Sequence, residues 1–191
     1  MKIGITGGIG SGKSYVCKLL AARGITVYDC DAAAKRLMRT SPTLRKQLTE
    51  LIGTNTYQPD GTLNKAVVAQ FLLASEQNAK AIDAIVHPAV FRDFIESGVD
   101  WMESAILYES GINRLVDRVL VVTAPEPVRI RRIMQRDGIS AEKAREWIDR
   151  QWPQDRIRAL ADYEIVNDGE TDLPSQADSL LARINQEKTS I

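Results

Sequence analysis

Gly7-Gly-Ile-Gly-Ser-Gly12-Lys13-Ser14 follows the apolar run Lys2-Ile-Gly-Ile-Thr6 and precedes a segment in which Val16, Leu19 and Leu20 share a helical face. The string satisfies G-x-x-x-x-G-K-[ST] at every constrained position, in the strand–loop–helix setting that gives the pattern its meaning. Each residue type has a physical task. Glycines let backbone N–H groups converge on phosphate oxygens in conformations a side chain would forbid. A helix beginning near Lys13 turns the positive end of its dipole toward the same anions. Lys13 supplies a point charge for the outer phosphates, and Ser14 a hydroxyl suited to Mg²⁺. A glycine-rich turn that merely joins strand to helix is the plainer alternative; the agreement of motif and flanks weighs against it.

Outward from the loop, short apolar runs alternate with helical patterns. Thr26-Val-Tyr-Asp29, Ser104-Ala-Ile-Leu-Tyr108, Arg118-Val-Leu-Val-Val-Thr123 and Tyr163-Glu-Ile-Val166 complete a set of five strand candidates. They lack clean apolar–polar alternation, as parallel strands covered on both faces do. An α/β fold follows. The first helix is expected to run to about Arg23, with Gly24 as its stop. Residues 32–98 carry no strand signal and read as several helices broken at Ser41-Pro42 and at Tyr57-Gln-Pro-Asp-Gly61. A second helical stretch, 127–158, breaks at Asp137-Gly138 and Trp152-Pro153. Residues 187–191 are expected to fray.

Composition narrows the partners. The 191 residues are 44% hydrophobic and 26% charged, with 25 Lys+Arg against 25 Asp+Glu. No overall basic field argues for nucleic acid or an anionic membrane. Cys17 and Cys30 have neither metal nor redox spacing and suit a reducing compartment. No apolar run approaches a membrane span and no signal-like segment opens the chain, so a cytoplasmic protein is expected. Switch GTPases are disfavoured: Asn64-Lys-Ala-Val67 lacks the base-reading aspartate, and no D-x-x-G occurs. At this length, with late arginine-rich helices, a small kinase with a closing lid is favoured.

Three clusters add chemistry. Asp29-Cys-Asp31 stands where the second strand should end, on the sheet edge that binds ligands. Asp31 is the candidate to accept or orient an acceptor hydroxyl proton, and Asp29 the candidate cap of the next helix. Arg129, Arg132 and Arg136 fall at i, i+3 and i+7 on one helical face, with Ile130, Ile133 and Met134 turned to the core. Arg132 and Arg136 are the candidates to meet phosphates; a solvated face paired with Glu126, Asp137 and Glu142 is the alternative. His87, before Pro88, either reaches an acceptor pocket or is a hydrogen-bonded histidine at a helix break. Glu109, at the end of the third strand candidate, either holds a metal-bound water or caps the next segment. Lys35, Lys65 and Arg92 either meet an anionic acceptor or are scattered cations with no specific role.

Taken together, these residues resemble the dephospho-coenzyme A kinase family over nearly the whole chain. The resemblance runs through Ile5-Thr-Gly-Gly-Ile-Gly-Ser-Gly-Lys-Ser14, Asp29-Cys-Asp31, His87-Pro88, Ile106-Leu-Tyr-Glu109 and Val121-Val-Thr-Ala-Pro-Glu126. It continues with Arg132, Arg136-Asp137-Gly138, Gln151, Ala161-Asp162 and Asn167. It implies a P-loop kinase fold with a five-stranded parallel sheet, a helical coenzyme-binding subdomain (32–98) and a lid (127–158). The nucleotide-binding core would comprise 1–31, 99–126 and 159–191. It implies transfer of the γ-phosphoryl of ATP, with Mg²⁺, to the ribose 3′-hydroxyl of dephospho-CoA. Gly8, Gly10, Ser11, Gly12, Lys13, Ser14, Tyr15 and Asn167 would bind the nucleotide, Asn167 on a loop near adenine. Lys13, Asp31, Arg132 and Arg136 would carry catalysis, Ser14 would bind the metal, and Asp31, Lys35, His87 and Glu109 would bind the substrate. Neither nucleic acid nor membrane enters, and the chain would be a monomer or weak homo-oligomer.

Departures from the family pattern are Tyr15 for threonine, Ala105 for proline, Arg129 for glutamine and Ile157 for lysine. The last turns attention to Arg156 or Arg158 as the lid cation. Two rivals remain: a kinase for another small acceptor, and a non-enzymatic nucleotide-binding switch.

Overall fold

The computed structural model describes residues 1–189 and divides into two compact units, Met1–Tyr28 with the chain from Val99 onward, and Asp29–Gly98. The first holds β1 (Ile3–Thr6), α1 (Lys13–Ala21), β3 (Trp101–Glu103), β4 (Arg118–Thr123), α6 (Glu126–Asp137), α7 (Ala141–Asp149), α8 (Gln154–Leu160), β5 (Tyr163–Val166) and α9 (Leu173–Thr189). It also holds Val27 and Tyr28 of β2 (Val27–Asp29), and the second unit holds α2 (Cys30–Thr40), α3 (Pro42–Ile52), α4 (Lys65–Ala74) and α5 (Glu76–Ser97). The sheet is parallel, in the order β2-β3-β1-β4-β5.

The strand that feeds the glycine loop is thus the middle one. Ile3 pairs with Trp101 on one side and Arg118 on the other, and Ile5 with Glu103 and Leu120. Ile3, Ile5, Leu120, Val122 and Ile165 cluster with Val16 and Leu20 of α1 and Leu180 and Ile184 of α9. Val119 and Val121 project to the opposite face and are also buried. Cover on both faces explains why β4 reads as an unbroken apolar run. A satellite cluster of Ile130, Ile133 and Ala144, with Ile9 and Trp147 against it, joins α6 to α7.

In the second unit, Ile82, Val86, Val90 and Phe94 bury one side of α5 at four-residue intervals, against which α2, α3 and α4 pack. Side-chain caps open every α-helix here: Asp29 accepts from the Ala32 N–H, Ser41 from Leu44, Asn64 from Val67 and Ser75 from Asn78. Asp29 therefore fills the capping role expected of it.

Four local expectations are corrected. The third strand is Trp101–Glu103, and residues 105–110 form turns instead. The run looked strand-like because Leu107 is fully buried; its side chain lies over Gly4, where a β-carbon would come within 2.6 Å of it. Pro88 sits inside a 22-residue α5 without ending it, on an exposed side, so His87 is not at a helix break. Met134 is 37% exposed, since α6 buries only the Ile130–Ile133 stripe and Arg129. The chain end does not fray at 187: α9 runs to Thr189, with Glu187 accepting from the Tyr163 hydroxyl at 2.5 Å. Residues 190–191 lie outside the described residues.

Candidate functional site

The glycine loop connects β1 to α1 and is held from behind. Arg129 donates Nε–H to the Ile9 carbonyl oxygen at 2.9 Å. Arg132 Nη1 donates to the carbonyls of Gly10 and Ser11, both at 3.3 Å, and of Asn167 at 3.0 Å. Asn167, 5% exposed, donates Nδ2–H to the Ser11 carbonyl at 2.8 Å and accepts from Arg132 Nη2 at 3.0 Å. Its own N–H is tied to the Thr123 carbonyl at the end of β4, which anchors the brace to the sheet. Gln151 Oε1 accepts the Ile9 N–H at 2.7 Å.

Peptide geometry turns these outer bonds into an inner site. In a trans peptide the C=O of one residue and the N–H of the next point in opposite directions. Donors on the Ile9 and Ser11 carbonyls therefore aim the Gly10 and Gly12 N–H groups to the other side of the loop. The Lys13 and Ser14 N–H groups, first in α1, have no carbonyl of the helix to bond, and the positive end of its dipole lies there. Gly12 is the N-cap of α1 in the left-handed region, φ +88°, and a β-carbon on it would collide with Asn167. Glycine is required at that position for both reasons.

Lys13 stands at the start of α1 with its Nζ 3.6 Å from Glu103 Oε1, at the end of β3. Glu103 is the acid that sequence reasoning missed. Glu109, to which a metal-water role was open, is exposed and accepts the Trp152 N–H at 3.3 Å instead. With the strand ending at residue 103 rather than 108, the strand-end acid is six residues earlier. No local sequence signal marks it; the pairing of Ile5 with Glu103 directly before the loop, a tertiary contact, is what identifies it.

Ser14 and Tyr15 are exposed in the first turn of α1; the Tyr15 N–H donates to the Gly12 carbonyl at 3.0 Å. Arg136, 59% exposed along its side chain, pairs with its neighbour Asp137 at 2.7 Å rather than with the loop. Of the arginine face, Arg129 and Arg132 reach the glycine loop and Arg136 does not. The α8 cations also differ: Arg158 pairs with Glu164 at 2.8 Å, whereas the Arg156 guanidinium lies 3.4 Å over the Trp152 ring, which stacks on Tyr108. Burial and the charge of Asp162 push the Tyr108 hydroxyl up to about 12, and it donates to the Leu160 carbonyl.

The second unit carries the remaining candidates. Asp31 lies exposed in the first turn of α2, unpaired among the described residues, and Lys35 is exposed one turn on. The two are not within ion-pair distance. His87 lies one turn after Asp83, its Nε2 3.5 Å from Oδ1, and stacks on Phe91.

The profile of the dephospho-CoA kinase family matches residues 1–172. A dephospho-CoA kinase of Porphyromonas gingivalis is 43% identical over 172 residues, covering 86% of this chain and 85% of that protein. One of Bacteroides fragilis is 39% identical over 193 residues, covering 97% and 94%. A crystal structure from Thermus thermophilus, 32% identical and covering 96% of this chain and 97% of that one, superposes with a TM-score of 0.81.

Proposed function

The chain belongs to the dephospho-CoA kinase family, and from that premise we propose that it transfers the γ-phosphoryl group of ATP to the ribose 3′-hydroxyl of dephospho-CoA, yielding coenzyme A and ADP. The observation that carries the donor side is the loop whose outward carbonyls are pinned by Arg129, Arg132 and Asn167. A cradle fixed in this way reorganises little when the triphosphate enters.

Phosphoryl transfer passes through a loose, in-line transition state, so the protein contributes position and charge rather than covalent chemistry. Lys13, next to Glu103, supplies the charge at the outer phosphates. Asp31, with no competing partner among the described residues, accepts or orients the 3′-hydroxyl proton, and Lys35 and His87 contribute to holding the acceptor. Arg132 acts through the loop it staples. Arg136 is the arginine left to reach the transferring group, and Arg156 takes precedence over the ion-paired Arg158 as a further cation.

Mg²⁺ fits the donor set. One hydroxyl, Ser14, and one carboxylate, Glu103, flank Lys13, and this sparse oxygen set suits a cation that keeps water and phosphate oxygens as most of its ligands. When bound, the ion would neutralise charge on the β- and γ-phosphates. Among the described residues no helix is long and apolar enough to cross a membrane, and a cytoplasmic location suits the proposed substrates.

The test is ADP formation by the purified chain with and without dephospho-CoA. Acceptor-dependent ADP release with coenzyme A as product is expected. ADP release only with a different acceptor would overturn the substrate assignment. Nucleotide binding with no acceptor-dependent release would indicate a switch.

A further inference from the structure

Arg129 is 5% exposed, a guanidinium buried behind a loop built to bind anions. The loop lies directly on it. A β-carbon on Gly8 would collide with its Nη2 atom, and one on Gly10 would come within 2.7 Å of its carbonyl oxygen. Among the described residues its guanidinium makes one hydrogen bond, from Nε–H to the Ile9 carbonyl oxygen. Among the described residues no carboxylate lies within ion-pair distance of it. Glu126, one turn earlier on α6, contributes a weaker Coulombic attraction and sits 3.9 Å from Arg145. Burial lowers the pKa of Arg129, yet arginine keeps its proton in proteins. The other cations near the loop or on this helix face have partners: Lys13 has Glu103, Arg132 has four acceptor oxygens and Arg136 has Asp137.

A buried charge without a counter-charge destabilises a fold, and a neutral donor could make the same bond to Ile9. The bond therefore does not explain the charge. A polyphosphate on the inner side of the same loop does.

We propose that Arg129 is a positioning residue for the nucleotide: it aims the Gly10 N–H through the Ile9 carbonyl and gives the loop a buried positive charge that the bound polyphosphate balances. The proposal rests on the loop being the ATP site and is independent of the acceptor. Arg129→Gln keeps a donor for Ile9 and removes the charge, Arg129→Met removes both, and Arg129→Lys keeps a charge.

The probes are ATP, inorganic tripolyphosphate and adenosine, titrated by calorimetry without dephospho-CoA, so failure of the acceptor assignment leaves the result intact. R129Q should weaken ATP and tripolyphosphate about tenfold and leave adenosine unchanged, as one charge acting through a partly screened medium would. R129K should recover to within about threefold, and ligand-free R129Q should melt no lower than the native chain, because a desolvated charge is gone. Two results would overturn the proposal. One is native-like tripolyphosphate affinity in R129Q with loss confined to R129M, which would leave only the hydrogen bond. The other is ligand-free R129Q that melts lower or fails to fold, which would make Arg129 a structural brace.

Discussion

Replacing Asn167 by alanine separates two roles for that residue, reading the adenine base or bracing the phosphate loop. In the structure its amide nitrogen is bonded to the Ser11 carbonyl at 2.8 Å and its oxygen to the Arg132 guanidinium at 3.0 Å, all in a buried setting. The neutral bond contributes about 1 kcal/mol and the charge-assisted one about 1.5–3 kcal/mol. Arg132 retains the carbonyls of Gly10, Ser11 and Asn167 itself, which offsets part of the loss. Asn167→Ala should therefore destabilise the chain by about 1.5–3 kcal/mol, and for a protein of this size each kcal/mol lowers the melting temperature by about 2–4 °C. Because the Gly12 N–H is aimed by the same carbonyl, ATP and GTP should weaken by equal factors. Thermal melting with parallel ATP and GTP titrations measures both. Unchanged stability together with a changed ATP-to-GTP ratio would refute the bracing role and assign the side chain to the base.

Lys13→Ala should lower kcat/KM on the order of 10²-fold or more, with weaker ATP binding; native kinetics would contradict its place at the outer phosphates. Asp31→Asn should slow single-turnover transfer by about 10²–10⁴-fold while ATP affinity stays within about twofold, since Asp31 is assigned to the acceptor; a single-turnover rate near the native one would remove that role. The Asp168 carboxylate accepts from the N–H groups of Thr171 and Glu170 and from the Thr171 hydroxyl, which hold its pKa down to about 2. A depressed carboxylate contributes stability above its unfolded value, near 4, and loses it as pH falls toward 2. Asp168→Asn should flatten denaturation midpoints across that window; an unchanged slope would show that the turn does not couple to unfolding.

Much of the fold was legible because its signals are local. Val119 to Val122 are apolar because both faces of β4 are covered, and Gly12-Lys13-Ser14 marks the strand-to-helix turn with no outside help. The break at Ser41-Pro42 marks a helix boundary within residues 29–98, where α2 gives way to α3. The site was legible to the same depth: Lys13, Ser14 and the glycines are defined by spacing alone. Glu103 was not, because a three-residue strand, Trp-Met-Glu, carries too little periodicity to compete with the apolar run 105–108. That run is apolar for a different reason, the packing of Leu107 over Gly4.

The sequence by itself determined that an anion cradle joins a buried strand to a helix, and that arginines share one face of a later helix. Those are statements about neighbours in the chain, where covalent geometry and helical period suffice. Only the tertiary structure decided what the arginines and Asn167 do. Arg129, Arg132 and Asn167 lie at least 120 residues along the chain from the loop carbonyls they meet, and which carbonyl each one meets depends on the order β3-β1-β4-β5 that sets α6 and the end of β5 behind the loop. A period of 3.6 residues places Arg129, Arg132 and Arg136 on one side of a helix. It does not say that the first is buried against Gly8, the second stapled to Ser11 and the third left at the surface, because that depends on where the helix ends relative to the sheet.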